Sequence, residues 1–220
     1  MIYLNFDFLE EKVPIKDLTV FTVENVQVFS KVVQELYNYE NGYIKLFTSN
    51  YKSIKSSEIM LITDVLSFEV NSRANLKLIY QDLEVQLNYK PEIKSKIDYM
   101  LEDLLELIGH ELVEHELELK TEEINIQDLF AIMGIKIEIN NSTIFEKILS
   151  ILQIYKYLPK LKILVFVNIA SYLTHSELKV IKEHVSLMNK EVIMLEPRVL
   201  PSLYQYTLDK DYCFMEINML

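Results

Sequence analysis

A chain of 220 residues that is 50% apolar is long enough for one sizeable domain, or one domain carrying an insertion, which excludes a disulfide-held miniprotein and a disordered tail. The net charge of −11 is uneven, because residues 101–130 hold ten acids against Lys120 alone while the rest of the chain is close to neutral. Whole-chain acidity argues against non-specific polyanion binding, although a local acid block that recruits cations weakens that argument. The longest uncharged apolar run, 163–170 with Asn168 inside it, falls far below the roughly 18 residues of a membrane span. The opening Met-Ile-Tyr-Leu-Asn-Phe-Asp-Phe has no basic stretch before an apolar one. Neither a transmembrane helix nor a signal peptide is expected. Cys213 is the single cysteine, which excludes an internal disulfide or Cys-based zinc site and points to the reducing cytoplasm.

Residues 2–8 alternate apolar and polar, the period of a half-buried strand, and Pro14 marks a second, edge strand. Leu18 to Glu24 is β-rich and mostly apolar, as a strand covered on both faces would be. Asn25 then caps a helix from Val26 to Tyr39, Gly42 ends it, and Tyr43 to Thr48 forms another strand. From about residue 60 the pattern turns helical. Asn71 or Ser72 starts a helix through Leu87, and Pro91 starts a second to about His115, with a near-heptad stripe of Ile93, Ile97, Met100, Leu101, Leu104, Leu105 and Ile108. Joined at Tyr89-Lys90-Pro91, the two make an antiparallel hairpin, a projecting arm. Leu117 and Leu119 begin a short alternating piece, a helix spans Ile126 to Met133, and Gly134 leads into a strand, Ile135 to Ile139.

Strands and helices then alternate again. Thr143 with Glu146, and Thr174 with Glu177, form capping boxes for helices ending at Leu158 and Met188. Lys162 to Val167 has the composition of a buried parallel strand, followed by strands at Glu191 to Leu195 and Tyr212 to Ile217. This βαβ series predicts an α/β domain built from residues 1–60 together with 140–220, interrupted by a mostly helical insertion at 61–139.

The motifs of common chemistries are absent. None of Gly42, Gly109 and Gly134 follows a strand and opens a helix, so neither a phosphate-binding loop nor Gly-x-Gly-x-x-Gly can be written. His110 and His115 are five residues apart and point about 140° from each other on a helix, which excludes the zinc-protease pairing. There is no Gly-x-Ser-x-Gly elbow; Cys213 reads as a small buried packing residue, and His175 and His184 as surface residues. The unusual constellation is the acid block Glu111, Glu114, Glu116, Glu118, Glu122, Glu123 and Asp128. It reads either as a solvated acidic face or as hard oxygen ligands for Ca²⁺, without the spacing of an EF-hand. Small basic groups stand at Lys52 and Lys55 beside Tyr51, and at Lys90, Lys94 and Lys96 beside Tyr89. They read as solvated surface, or as weak DNA contacts that a symmetric oligomer would multiply.

Several blocks, in order along the chain, carry a resemblance: Leu18-Thr19-Val20 with Glu24-Asn25, Tyr43 to Phe47, Asn75 to Glu84, Thr143 to Lys147, Ala170 to Thr174, and Leu195-Glu196-Pro197-Arg198. The sequence resembles the small Csn-family accessory proteins of type II-A CRISPR systems, which serve spacer acquisition in antiviral defence. The resemblance implies a nucleotide-hydrolase-like (P-loop NTPase-like) α/β head without the phosphate loop, a helical leg, and a ring-shaped homotetramer. It also implies calcium that supports the ring and binding of linear double-stranded DNA ends through the central hole. No cleavage is implied, and the working partners would be the adaptation integrase and the effector nuclease in the bacterial cytoplasm. Carried onto this chain, the metal ligands fall on Glu118, Glu122, Glu123 and Asp128, with Glu138 from the adjoining strand. The DNA-facing candidates are Lys52, Lys55, Lys90, Lys94 and Lys136, chosen on charge and position. Competing readings are a metal-dependent nuclease whose acid block holds Mg²⁺ or Mn²⁺, and an acidic scaffold that binds only proteins.

Overall fold

The computed structural model describes residues 1–9, 11–113, 115–139, 142–201 and 203–218. The chain forms two compact units, one of Met1–Phe68 with Ile139–Leu220 and one of Glu69–Glu138.

The first unit is a mixed α/β structure. Strands β1 (Ile2–Asn5), β2 (Val13–Ile15) and β4 (Lys45–Thr48) make a small antiparallel sheet in the order β2-β1-β4. A six-stranded sheet has the order β5-β6-β7-β3-β8-β9, from β3 (Leu18–Val23), β5 (Ile59–Ile62), β6 (Ile163–Val167), β7 (Glu191–Glu196), β8 (Gln205–Leu208) and β9 (Phe214–Ile217). All neighbours in it run parallel except the β8–β9 hairpin.

The apolar run Ile-Leu-Val-Phe-Val of β6 exists because both its faces are covered. Phe21, Val23, Ile163, Val165, Ile193 and Leu195 pack toward α1 (Val26–Tyr37) and the small sheet. The alternate residues Val20, Leu164, Phe166, Val192 and Met194 pack toward α5 (Ile144–Lys156) and α6 (His175–Ser186). Asn25 accepts the N–H groups of Gln27 and Val28 at the start of α1, and both expected capping boxes are formed.

The second unit holds α2 (Arg73–Asn88), α3 (Pro91–Val113) and α4 (Ile126–Ile132). Its core is small: Tyr80, Ile126 and Phe130 are buried, with Leu76, Leu83, Leu87, Ile97 and Ile135 partly so.

Three expectations are corrected, and two strands are added. Residues 135–139 are extended but pair with no strand, because Asn71 takes both backbone groups of Ile137 (Nδ2 to O, 3.0 Å; N to Oδ1, 2.9 Å) and Tyr80 Oη donates to Ile135 O. Strands β5 and β8 occupy stretches to which the sequence reading assigns no strand. Cys213 is exposed and precedes β9, since the turn held by Asp209 Oδ1 extends through it. His184 is half-buried where a surface position was expected.

Candidate functional site

The loop between β4 and β5 carries Lys52 and Lys55. Thr48 and Lys52 exchange hydrogen bonds across a tight turn, with Tyr51 at its corner in the left-handed region (φ 57°). Ile54 then drops into the core and its N–H donates to Leu46 O at 2.8 Å. Buried Ile54 leaves its neighbours facing out: Lys52 and Lys55 are both exposed, three residues apart. Beside them a groove of about 300 Å³ is lined by Lys45, Lys55, Ser53, Ser56, Ser57 and Glu40, with the Ser56 hydroxyl donating to the Glu40 carboxylate. The stretch 41–57 holds three lysines and no acid, in a chain of net charge −11.

Lys90, Lys94 and Lys136 belong to the second unit. Lys90 is exposed in the α2–α3 connection, Lys94 Nζ donates to Asn88 Oδ1 at 2.7 Å, and Lys136 is exposed in the extended segment after α4. The candidate lysines are thus divided between the two units, Lys52 and Lys55 in the first and Lys90, Lys94 and Lys136 in the second.

The expected metal ligands belong to the second unit. Glu118, Glu122, Glu123, Asp128 and Glu138 are all exposed, and the Asp128 carboxylate is engaged by the Asn125 N–H in the cap of α4. Glu114 lies outside the described residues. Among the described residues no three Asp, Glu, His or Cys side chains come close enough to hold a metal ion.

The most unusual surface of the second unit is α3 itself. Of its 23 residues none is buried, and much of the predicted stripe lies open: Ile93 and Leu104 are 50% and Met100 64% exposed, while Ile97, Leu101 and Leu105 are partly buried. An apolar groove of about 590 Å³ runs between α2, α3 and α4, lined by Leu83, Leu87, Leu101, Leu104, Phe130 and Met133 among others. A helix of mixed apolar and charged character that packs only part of its apolar face within its own chain draws little tertiary stability from it.

At the carboxyl ends of the parallel strands, where α/β folds bind ligands, the sheet carries a buried carboxyl that the sequence did not single out for chemistry. Glu196, at the end of β7, is 2% exposed and accepts the Ala170 N–H at 3.0 Å. Burial pushes its pKa up to about 7, against the lowering effect of the Ala170 and Ile169 N–H groups and of Arg198. Arg198 donates to the Ser171 hydroxyl, which donates in turn to Asn168 Oδ1, so two links hold the turn after β6 to the segment after β7. The neighbouring β3–α1 connection is only Glu24 and Asn25, and the Asn25 side chain already takes the helix N–H groups that a phosphate would use.

The chain thus combines a mixed α/β unit built on a mostly parallel sheet with a helical unit inserted in its sequence. The model of the family described as CRISPR-associated protein (Cas_Csn2) matches residues 36–212. CRISPR-associated protein Csn2 of Streptococcus agalactiae is 45% identical over 221 aligned positions, covering 100% of both chains. The Csn2 protein of Enterococcus faecalis is 44% identical over 210, covering 95% of this chain and 96% of its own. The chain belongs to the Csn2 family of CRISPR-associated proteins. The crystal structure of Stu0660 of Streptococcus thermophilus shares the fold with a TM-score of 0.57 at 12% identity, covering 100% of this chain and 76% of that one. No helix among the described residues is long and apolar enough to cross a membrane.

Proposed function

We propose that this Csn2-family chain is a non-enzymatic, double-stranded DNA-binding protein. It assembles as a ring-shaped homotetramer, takes linear DNA ends through the central hole, and supports acquisition of CRISPR spacers alongside the adaptation integrase and the effector nuclease. The observation that carries this reading is the uncovered apolar face of α3 and the groove beside it. A second copy of the chain supplies an apolar surface of matching character, and closed symmetry then covers every such face.

Assembly also answers the charge problem. Lys52, Lys55, Lys90, Lys94 and Lys136 give a single chain few phosphate contacts, and DNA affinity scales with their number. Several copies facing one duplex multiply the lysines while the acid block stays away from the DNA path. Calcium is proposed as a ring-supporting ion bound through Glu118, Glu122, Glu123, Asp128 and Glu138. That no three such side chains gather among the described residues of one chain supports a site completed by carboxylates of a second chain. The short Glu24-Asn25 connection supports reading the α/β unit as a nucleotide-hydrolase-like head whose phosphate loop is gone.

The test is a gel shift of linear against covalently closed circular duplexes of equal length, with calcium or with chelator. Retardation of linear DNA alone, lost on chelation, is the expected result. Equal retardation of both topologies contradicts the threading ring, and no retardation at low salt contradicts DNA binding.

A further inference from the structure

The outer face of the small β2-β1-β4 sheet carries an aromatic row. Tyr3 and Phe47 are register partners on β1 and β4, with ring centroids 5.8 Å apart and planes 25° from parallel. Tyr51 extends the row from the following turn, its centroid 5.9 Å from Phe47 and its plane only 8° away. The Lys12 ammonium stands over the row, 4.1 Å from the Tyr3 centroid and 5.4 Å from that of Tyr51. Among the described residues Lys12 has no carboxylate partner.

Cross-strand pairing accounts for Tyr3 and Phe47, but it does not account for Tyr51. That residue occupies the left-handed region (φ 57°), which glycine or asparagine enters at lower cost than a bulky side chain. In return it buries little, since Tyr51 is 79% exposed. A strained aromatic that does not serve the core is better explained by a ligand than by folding. The ligand chemistry follows from the neighbours: flat rings offer a face to any base, Lys12 stands beside them, Lys52 is exposed next to Tyr51 in the chain, and the stretch 41–57 contains no acid.

We propose that this aromatic row is a stacking site for unpaired nucleotides, whose bases lie on Tyr51 and Phe47 and whose phosphates meet Lys12 and Lys52. The site rests on the DNA-binding reading above and adds a preference within it, for ends that carry a single-stranded tail.

Fluorescence anisotropy of three labelled probes tests it: a short blunt duplex, the same duplex with a thymidine tail, and a thymidine oligonucleotide alone. The wild-type chain is expected to bind the tailed duplex roughly tenfold more tightly than the blunt one, the lower range for one stacked base. Tyr51→Ala is expected to reduce tailed binding to the blunt level. Tyr51→Phe keeps the ring and the preference, and Lys12→Gln lowers tailed binding with the fold intact. Equal affinity of the wild type for blunt and tailed duplexes overturns the proposal, as does an equal loss on both probes in Tyr51→Ala. Binding of the tail and oligonucleotide without the blunt duplex sinks the duplex reading and upholds this one. Binding of no probe sinks both.

Discussion

The carboxylate of Glu196 accepts the backbone N–H of Ala170 at 3.0 Å, joining the end of β7 to the turn that follows β6. The contact is buried, and burial raises the Glu196 pKa from the ordinary 4.5 to about 7. The protonated form is therefore favoured by folding, so the stabilisation is complete below the unfolded value and is lost as pH rises through the folded one.

Glu196→Gln keeps the shape and removes the titration. Thermal melts of the two proteins are expected to diverge between about pH 4.5 and 7, with the wild type becoming relatively less stable by about 3 kcal/mol at the upper end. Parallel stability profiles from pH 5 to pH 8 would show that the carboxyl titrates as an exposed one does.

Met100→Glu and Leu104→Glu place charge on the open stripe of α3, where both residues are half-exposed or more in a single chain. Folding of the isolated chain should tolerate them, because neither is part of a buried cluster. Assembly should not, since each charge would be desolvated at an interface. Chromatography with light scattering is expected to show smaller species with unchanged far-UV circular dichroism; an unaltered mass would place the interface elsewhere.

Lys52→Gln with Lys55→Gln removes two exposed cations from one loop. If both meet phosphates, the slope of log affinity against log salt should fall by about two for each chain that contacts the duplex, with no change in sequence preference. An unchanged slope removes this loop from the DNA path.

Glu118→Ala with Glu123→Ala tests the acid block. Both side chains are exposed and make no hydrogen bond or ion pair among the described residues, so thermal stability of the single chain should hardly change. The calcium-dependent part of assembly should disappear, as followed by mass measured with calcium and with chelator. Persistence of that dependence in the variant would exclude these carboxylates as ligands.

The buried strand Ile163–Val167 and the capping boxes at Thr143 and Thr174 were legible in the sequence because their signals are local: an apolar run, and a hydroxyl three residues before a glutamate. Strand β8 was not, because Gln205 and Thr207 are buried polar residues, and Gln205 finds its partners in Thr22, Leu200 and Leu203 from distant and looped segments. β5 hides because its apolar run Ile-Met-Leu-Ile is only four residues long and lies next to helical periodicity. The opposite error occurred at 135–139, where perfect alternation met no strand, and the Asn71 side chain supplied the hydrogen bonds. The lysines of the candidate site were chosen by charge and position along the chain, whereas the Tyr3–Phe47–Tyr51 row depends on a strand register and a turn geometry that no local pattern encodes.

The most direct measurement is the solution mass of the purified chain across a dilution series, with calcium present. An account in which α3 is covered by other copies predicts a species of four times the 26.0 kDa chain that falls to smaller species in Met100→Glu. A stable 26.0 kDa monomer at every concentration, with its apolar helix left open to water, would contradict it.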